Sequence, residues 1–355
     1  GFLVALERDW IVVMSTCIPC IGSDLSEKFD QQKAWLSDTN VTMKQIDLGC
    51  QVVAPTIAGL FVALFDDGTR TDKGANLVGA AVFVGALNAM ALVVEYICTA
   101  KIYHDVPALA IKGVSSTHDN GTNSMAHDDS NDHKHATSRS EKLSHHFLPI
   151  PDSLKVYFDQ DVCWAGIGLS LLYVNVLSFG GIMTAYLVWR GMRMDSIGFW
   201  RGVSSAAGLA GTLVYHYLSR RTSLINTGMF SVSFQFLCLT TSFASLFIHD
   251  NATSLAMLIL GVCASRVGLW VFDITVTQLM QLHVREDVRG SVGGTQLSLN
   301  SFFAMLAFLL GILIPDPTRF HIYVSVGYIS VGVALSCYAI GVFARRKSLT
   351  IESTS

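Results

Sequence analysis

The feature that most constrains this chain is a series of long apolar stretches separated by short polar links. A helix needs about 20 mainly apolar residues to cross the roughly 30 Å hydrocarbon core of a bilayer. The stretches therefore predict an all-α fold, a polytopic transmembrane helical bundle. A partial span ends near Gly22, and residues 23–40 are predicted to form a polar loop. Eight complete spans follow at residues 42–66, 75–102, 160–190, 195–219, 224–249, 252–281, 288–314 and 320–344.

Composition supports a membrane protein and excludes several other classes. Of the 355 residues, 51% are hydrophobic and only 14% are charged, whereas soluble domains carry about 25% charged residues. The net charge of −3 gives no reason to expect a nucleic-acid partner. No phosphate-binding glycine loop and no recognisable nucleophile–base arrangement occurs, so we predict neither an enzyme nor a cofactor.

A long polar segment, 103–154, divides the spans into two groups. It contains seven of the eleven histidines and a low-complexity run from Thr117 to Ser144. We predict a flexible loop that is either a solvated linker or a collector of cytosolic metal ions. Six spans after such a loop are typical of a transporter with two six-helix halves. The predicted domains are the remainder of a first lobe (1–102), the loop, a second lobe (155–345) and a tail (346–355).

Basic residues at the ends of the spans predict the orientation. The tail residues Arg345, Arg346 and Lys347 lie on the same side as the 103–154 loop if the spans alternate. Cytosolic ends of membrane proteins carry the excess of Lys and Arg. We therefore expect a multi-pass protein of the plasma membrane or a vacuolar or other internal membrane, with its C-terminus in the cytosol. The chain starts at Gly1 without a methionine, and we expect it to enter the fourth helix of the first lobe midway.

Asn88 and Glu95 are candidates for binding a cation. They are seven residues apart in the predicted 75–102 helix, so two helical turns bring them to one face. An amide oxygen and a carboxylate on one face suit a divalent cation. They also suit a polar contact with a neighbouring helix, which the residues alone favour over a cation site.

Arg266 and Asp273 are a second pair of polar residues seven apart, in the predicted 252–281 helix. Two turns separate their Cα atoms by about 10 Å, too far for a direct ion pair, so each needs a partner elsewhere. Candidate partners are Lys44, Asp47, Asp9 and Arg289, near the cytosolic ends of other helices. Ion pairs that form in one state and break in another would make a gate; charges extending to the membrane surface are the alternative.

Glycines mark two further places in the second lobe. Gly180 and Gly181 interrupt the predicted 160–190 span, and adjacent glycines predict a bent or unwound helix of the kind that binds substrate in transporters. The small residues from Gly202 to Gly211 predict close packing between helices.

Several ordered runs resemble the ferroportin family, iron exporters of the major-facilitator type. These runs are Glu7–Val13, Asn88–Tyr96, Pro107–Lys112, Ser265–Gln278, Arg289–Gly290 and Gly294–Asn300. The resemblance implies a fold of two lobes and twelve helices, with three helices and most of a fourth preceding Gly1. It also implies export of Fe²⁺, or of Co²⁺ or Ni²⁺, by alternating access.

The resemblance also implies roles for single residues. Asp9, Lys44, Asp273 and Arg289 match the family's cytosolic gate, where Lys44 replaces the arginine of vertebrate members.

Asn88 and Glu95 match a cation site in the first lobe. Gly180-Gly181 stands where vertebrate members have Asp-Cys, and Ala304 and Ala307 stand where they have Asp and His. These departures remove second-lobe metal ligands, so we expect no binding of the peptide hepcidin. They also leave open a non-transporting membrane scaffold, or a facilitator for a small organic solute.

Overall fold

The structure, a computed structural model, describes residues 10–16, 25–65, 73–106, 152–174 and 177–352. Its described residues form helices, turns and links without a strand, which confirms the all-α prediction. The α-helices, numbered in chain order, are α1 (Ile11–Thr16), α2 (Leu25–Phe65), α3 (Lys73–Asp105), α4 (Asp152–Phe158), α5 (Cys163–Leu172), α6 (Gly181–Trp189), α7 (Met194–Ser219), α8 (Leu224–Ala244), α9 (Asn251–His283), α10 (Arg289–Leu313) and α11 (Phe320–Glu352). Short 3₁₀ turns, Ser245–Phe247 and Pro317–Arg319, follow α8 and precede α11.

Within the described residues, five helical segments are long and apolar enough to cross a membrane. They are Gly85–Asp105, Leu224–Phe247, Asn251–His283, Arg289–Leu313 and Pro317–Val342. Their outward faces are apolar, with Phe308, Ile312 and Leu313 each more than two-thirds exposed. Such a band of exposed apolar side chains fits a lipid surface.

Two helices are longer than the sequence predicted. Residues 23–40 were expected to form a polar loop, yet α2 already begins at Leu25. The predicted tail, 346–355, continues α11 as far as Glu352. Hydropathy marks where lipid contact ends, not where a helix ends. Neither stretch contains a Gly or Pro that would break the backbone hydrogen bonding. Most of the 103–154 loop lies outside the described residues.

The predicted 160–190 span is two short helices rather than one. Helix α5 ends at Leu172, and α6 begins only at Gly181, after an extended Gly180. The interruption therefore starts about two turns before the glycine pair that predicted it. Helix α6 then ends in a Schellman motif, in which Met192 N donates to Leu187 O and Gly191 N donates to Val188 O. Gly191 has a φ of +87°, which favours glycine and turns the chain into α7.

Helix α9 is the centre of the bundle. Its residues Val271–Val276 are buried all around the helix, because α8, α7 and α2 pack on different sides of it. Helix α11 packs on α8 and α5, and α10 packs on α4 and α5. The core thus surrounds the one helix that carries both Arg266 and Asp273.

A buried polar network joins α4, α5 and α10. Tyr157 Oη donates to Gln296 Oε1 at 2.6 Å, and Gln296 Nε2 donates to Gly166 O at 3.1 Å. Ser170 Oγ donates to Asn300 Oδ1 at 2.8 Å. Buried polar groups must be hydrogen-bonded, so this network fixes how these three helices fit together.

Candidate functional site

Helix α2 belongs to the first group of helices and packs against α7 and α9 of the second group. It runs antiparallel to α9, since Asn40 contacts Gln281 whereas Lys44, one turn later, contacts Asp273. Its charged residues therefore meet those of α9 in an order set by the helical repeat.

Lys44 and Asp273 form an ion pair, with 2.8 Å between Nζ and Oδ2. The two side chains are 28% and 10% exposed, so little water surrounds the pair. The Lys44 ammonium also lies 4.9 Å from the centre of the Trp270 ring, one helical turn from Asp273. An ammonium over an indole face is attracted by the ring's electrons. Trp270 therefore gives Lys44 a second contact on the helix that carries Asp273.

The free energy of such a pair depends on both partners being present. Removing two charges from water costs nearly as much as their attraction returns, so a half-buried pair adds little net stability. Breaking it without exposing both groups to water is strongly unfavourable. This property suits a contact that either forms completely or separates into two hydrated surfaces.

Amide side chains make further contacts between α2 and α9, on the N-terminal side of Lys44 along α2. Asn40 Nδ2 donates to Gln281 Oε1 at 2.7 Å, and Gln281 Nε2 donates back to Asn40 Oδ1 at 3.1 Å. Gln278 Nε2 donates to the backbone carbonyl of Lys33 at 3.0 Å, and Gln278 accepts a bond from Tyr215 of α7. These bonds fix the register of α2 against α9.

Helix α7 makes a second set of polar contacts with α2. Gln45 Nε2 donates to Thr212 Oγ1 at 3.1 Å, and His216 Nδ1 lies 3.3 Å from Asp38 Oδ1. Helix α2 is therefore held by side chains from both α7 and α9, and separating it from one requires separating it from the other.

Close approach of α7 to α9 depends on glycine. A Cβ at Gly208 would lie 2.7 Å from Trp270 Nε1, and one at Gly211 would lie 2.9 Å from the carbonyl oxygen of Val267. At Gly202 a Cβ would meet nothing within 4 Å. The small residues of α7 thus leave room for Trp270 between α7 and Lys44.

A cavity of about 130 Å³ lies beside the ion pair. Lys44, Asp47 and Asp273 line it, together with Asn40 and Thr277. Three of the predicted gate residues therefore meet at one place, with two acids facing one base.

The other predicted gate residues lie elsewhere. Arg289 is at the start of α10, where Nη2 donates to Val284 O at 3.2 Å. Arg266 donates to the backbone carbonyl of Leu177, next to the break before α6. Arg266 thus contacts a carbonyl rather than one of the acids that the sequence suggested. Asp9 lies outside the described residues.

The cation candidates Asn88 and Glu95 are on α3, and both side chains are exposed. Helix α3 packs chiefly on α2. Within the described parts of the chain, no group of three or more His, Cys, Asp or Glu side chains converges as a metal site would require. The described residues therefore do not by themselves complete a first-lobe metal site.

Sequence reasoning missed several residues that the site uses: Asn40, Trp270, Tyr215, Gln278 and Gln281. The two glutamines carried a signal, because amides inside an apolar span need a partner there. Asn40 carried none, since it was assigned to a polar loop.

Comparison with known proteins agrees with the helix order and the packing. A model of the family described as Ferroportin1 (FPN1) matches residues 2–331, which is most of the chain. The chain belongs to the ferroportin family. It is therefore an integral membrane protein, with the all-helical fold of this family.

Relatives in plants and animals match nearly the whole chain. Solute carrier family 40 member 1 of Oryza sativa is 34% identical over 98% of this chain and 66% of its own length. Ferroportin of Homo sapiens is 26% identical over 93% of this chain and 67% of its own length. The chain thus spans just under two thirds of the length of its rice relative.

A solved structure has the same fold. A bacterial homologue of the iron transporter ferroportin, in an outward-facing state, superposes with a TM-score of 0.68 at 20% identity. It covers 95% of this chain, and this chain covers 68% of it. The match extends over both groups of helices, so this ferroportin-family chain shares the major-facilitator-like arrangement of its bacterial relative.

Proposed function

We propose that the protein is a secondary transporter that exports Fe²⁺, or a related divalent ion such as Co²⁺ or Ni²⁺, from the cytosol by alternating access. Family membership supports transport of a metal, since its relatives include proteins named ferroportin and a bacterial homologue of the iron transporter ferroportin that was soaked with iron. The proposal includes the direction of transport, out of the cytosol, and the identity of the ion. It also includes the location, a plasma or vacuolar membrane with the C-terminus of the protein on the cytosolic side.

The Lys44–Asp273 ion pair is the observation that carries this function. It joins α2 of the first lobe to α9 of the second, at 2.8 Å, beside a cavity of about 130 Å³. We infer that it is the cytosolic gate of the transporter. A contact of small net free energy between two lobes can break and re-form during each transport cycle.

The cation itself would bind in the first lobe in this proposal. Glu95 and Asn88 offer a carboxylate and an amide oxygen on one helix face, both exposed on α3. Further ligands would have to come from parts of the protein other than the described residues. The second lobe would supply Asp273, its half of the gate, rather than metal ligands.

Metal retention in cells that express the full-length protein tests the function. We expect cells loaded with ⁵⁵Fe, ⁵⁷Co or ⁶³Ni to lose at least one of these ions faster than control cells. We expect Asp273→Ala to abolish the difference while the protein still reaches its membrane. Unchanged retention of all three ions, despite delivery to the membrane, would rule out export.

A non-transporting membrane scaffold is the second candidate. It is favoured by the lack of a converging metal-ligand group among the described residues. Equilibrium binding of Co²⁺ to the purified full-length protein distinguishes the two. Binding that Glu95→Ala removes and Glu27→Ala leaves intact supports the transporter, while no saturable binding supports the scaffold.

A further inference from the structure

The break before α6 opens into a cavity of about 230 Å³ that the metal-export function does not use. Three helices border it: α2 through Leu48, α7 through Arg201 and α9 through Arg266. Ser178 and Gly180, which belong to the break, border it on a fourth side. The cavity therefore exists only where both lobes meet the broken helix.

Two guanidinium groups line this cavity without acidic partners among the described residues. Arg266 is half-buried, and its described hydrogen bond is to the carbonyl of Leu177. Arg201 is exposed on α7 and lines the cavity from the other side. Arginine stays charged at any physiological pH, and an arginine removed from water needs an anionic partner. The cavity thus has a positive charge that its described lining does not neutralise.

Serine hydroxyls complete the lining. Ser204 is only 7% exposed and lines the cavity. Ser178 and Ser205 border the same space. A serine hydroxyl at a cavity wall can donate a hydrogen bond to a ligand. Guanidinium and hydroxyl groups together are donors for an anion.

The same charges exclude a divalent cation. The sequence predicted a substrate region at Gly180 and Gly181, but the described lining around Gly180 offers two positive charges and no carboxylate, thiolate or imidazole. A metal ion at this place would be repelled by both arginines. The cavity is also too polar for an apolar solute, so it does not support the facilitator interpretation.

We propose that this cavity binds a small inorganic anion, of the size of chloride or orthophosphate, between Arg201, Arg266 and Ser204. Each water molecule takes about 30 Å³ of liquid volume, so the space holds such an anion with part of its hydration shell. Bidentate guanidinium contacts are the strongest that an oxyanion receives from a protein side chain.

Anion binding is coupled to the arrangement of the lobes. Leu48 lies one turn after Lys44 on α2, and Trp270 lies between the cavity and the Lys44 ammonium. When α2 leaves α7 and α9, the cavity loses one wall and opens to water. An anion therefore stabilises the arrangement in which the Lys44–Asp273 pair is formed.

Thermal unfolding of the purified full-length protein tests this proposal. The protein is held in a phosphate-free maltoside detergent, and tryptophan fluorescence is followed as sodium gluconate is replaced by sodium chloride, or by sodium phosphate, at constant ionic strength. We expect a saturable rise of the unfolding temperature with at least one of the two anions. No rise with either anion would overturn the proposal.

Variants show whether a rise comes from this cavity. Arg201→Gln and Arg266→Gln should each raise the half-saturating anion concentration by about tenfold or more, the usual effect of losing one charge-assisted hydrogen bond. The matched control is Arg193→Gln, whose arginine pairs with Asp195 at the surface at 2.9 Å and should leave the titration unchanged. If Arg266→Gln does not fold, Arg201→Gln and Ser204→Ala carry the test.

The source of the anion is tested separately. The same rise in all variants would show non-specific salt effects and overturn the proposal. A rise produced by phosphatidylglycerol in salt-free gluconate, and by neither free anion, would assign the site to a lipid headgroup and overturn binding of a free ion. Metal efflux is not used as a readout, so this test stands or fails independently of the export function.

Discussion

Two cavities lie along helix α9, and Trp270 lies between them. They differ in whether the protein supplies a counter-charge for the charged residue of α9. At Asp273 the protein supplies the counter-charge itself, through Lys44 at 2.8 Å. At Arg266, two turns away, the described residues supply only a backbone carbonyl, and Arg201 adds a second positive charge. The first arrangement suits a contact that opens and closes, and the second suits a site for a mobile ion.

Trp270 connects the two cavities. Trp270 forms part of the cavity at Arg266 and holds the Lys44 ammonium 4.9 Å from its ring centre. Movement of α2 therefore changes both places at once. Variants that change one charge, one contact or one distance at a time separate the effects at the two places.

The largest effect is expected from Asp273→Ala. It leaves the Lys44 ammonium half-buried without its carboxylate, which costs about 3–5 kcal/mol in the free energy of unfolding. We also expect efflux to fall to background. Thermal unfolding of the purified protein measures the first effect, and retention of ⁵⁵Fe measures the second.

The double variant Lys44→Ala/Asp273→Ala is the control for Asp273→Ala. It should be more stable than Asp273→Ala, because no unpaired charge remains. Equal stability of the single and double variants would mean that Lys44 reaches water without Asp273. The pair would then be an ordinary surface contact, and the contrast between the two cavities would disappear.

A smaller effect is expected from Gly208→Ala, which changes a distance rather than a charge. Its Cβ would lie 2.7 Å from Trp270 Nε1, so the indole must move away from α7. Overpacking of this kind costs about 1–3 kcal/mol. Thermal unfolding measures the loss, and a shift in tryptophan emission reports the movement.

The matched control is Gly202→Ala on the same helix, where nothing lies within 4 Å. It should leave stability unchanged or raise it by up to about 1 kcal/mol, because alanine favours a helix over glycine. A loss as large as that of Gly208→Ala would show that any side chain added to this part of α7, and not contact with Trp270, explains the effect.

How much of this could be read from the sequence differs between the two cavities. Spacing placed Arg266 and Asp273 on one face and required partners for both, and Lys44 was among four candidates. The choice among them depended on how α2 lies against α9, which hydropathy does not encode. Arg201 was not identified at all, because a charge near the end of a predicted span resembles one that extends to the membrane surface.

The broken helix shows the same limit. Two adjacent glycines predicted an interruption, but only packing decides that it begins after Leu172 and that Ser178 faces Arg201 and Arg266 across a cavity. The polar stretch 23–40 was interpreted from composition as a loop, although it forms the first turns of α2 and contributes Asn40 to the site. Periodicity identifies buried faces, while the partners of a face come from the fold.

A conservative change at the gate should have a smaller effect still. Lys44→Arg keeps the positive charge, and a guanidinium can bind Asp273 with two hydrogen bonds. The longer, planar head must fit beside Trp270, so we expect a change of less than about 1.5 kcal/mol in stability. Efflux should stay within about threefold of the unchanged protein, since 0.6–0.7 kcal/mol separates rates by that factor.

Loss of efflux in Lys44→Arg, with normal folding, would mean that the gate requires an ammonium that separates easily from its acid. Efflux of Lys44→Ala separates the effect of charge from the effect of shape, because alanine removes the positive charge and arginine keeps the charge but changes the shape of the group that carries it.

The smallest effect is expected at an ion pair outside the membrane. Arg285 and Asp287 form an exposed pair in the link between α9 and α10, and the guanidinium lowers the pKa of Asp287 below its ordinary value of 3.8. A carboxyl group with a lowered pKa stabilises the folded protein above its ordinary pKa, and this contribution disappears as the pH falls through the lowered value. Between pH 5.5 and 7.5 the group stays ionised in both the folded and the unfolded chain. Arg285→Gln should therefore leave the pH profiles of stability and efflux unchanged in that window, in low and high salt. A pH-dependent loss of efflux there would show that this link, and not only the half-buried pair at Lys44, takes part in gating.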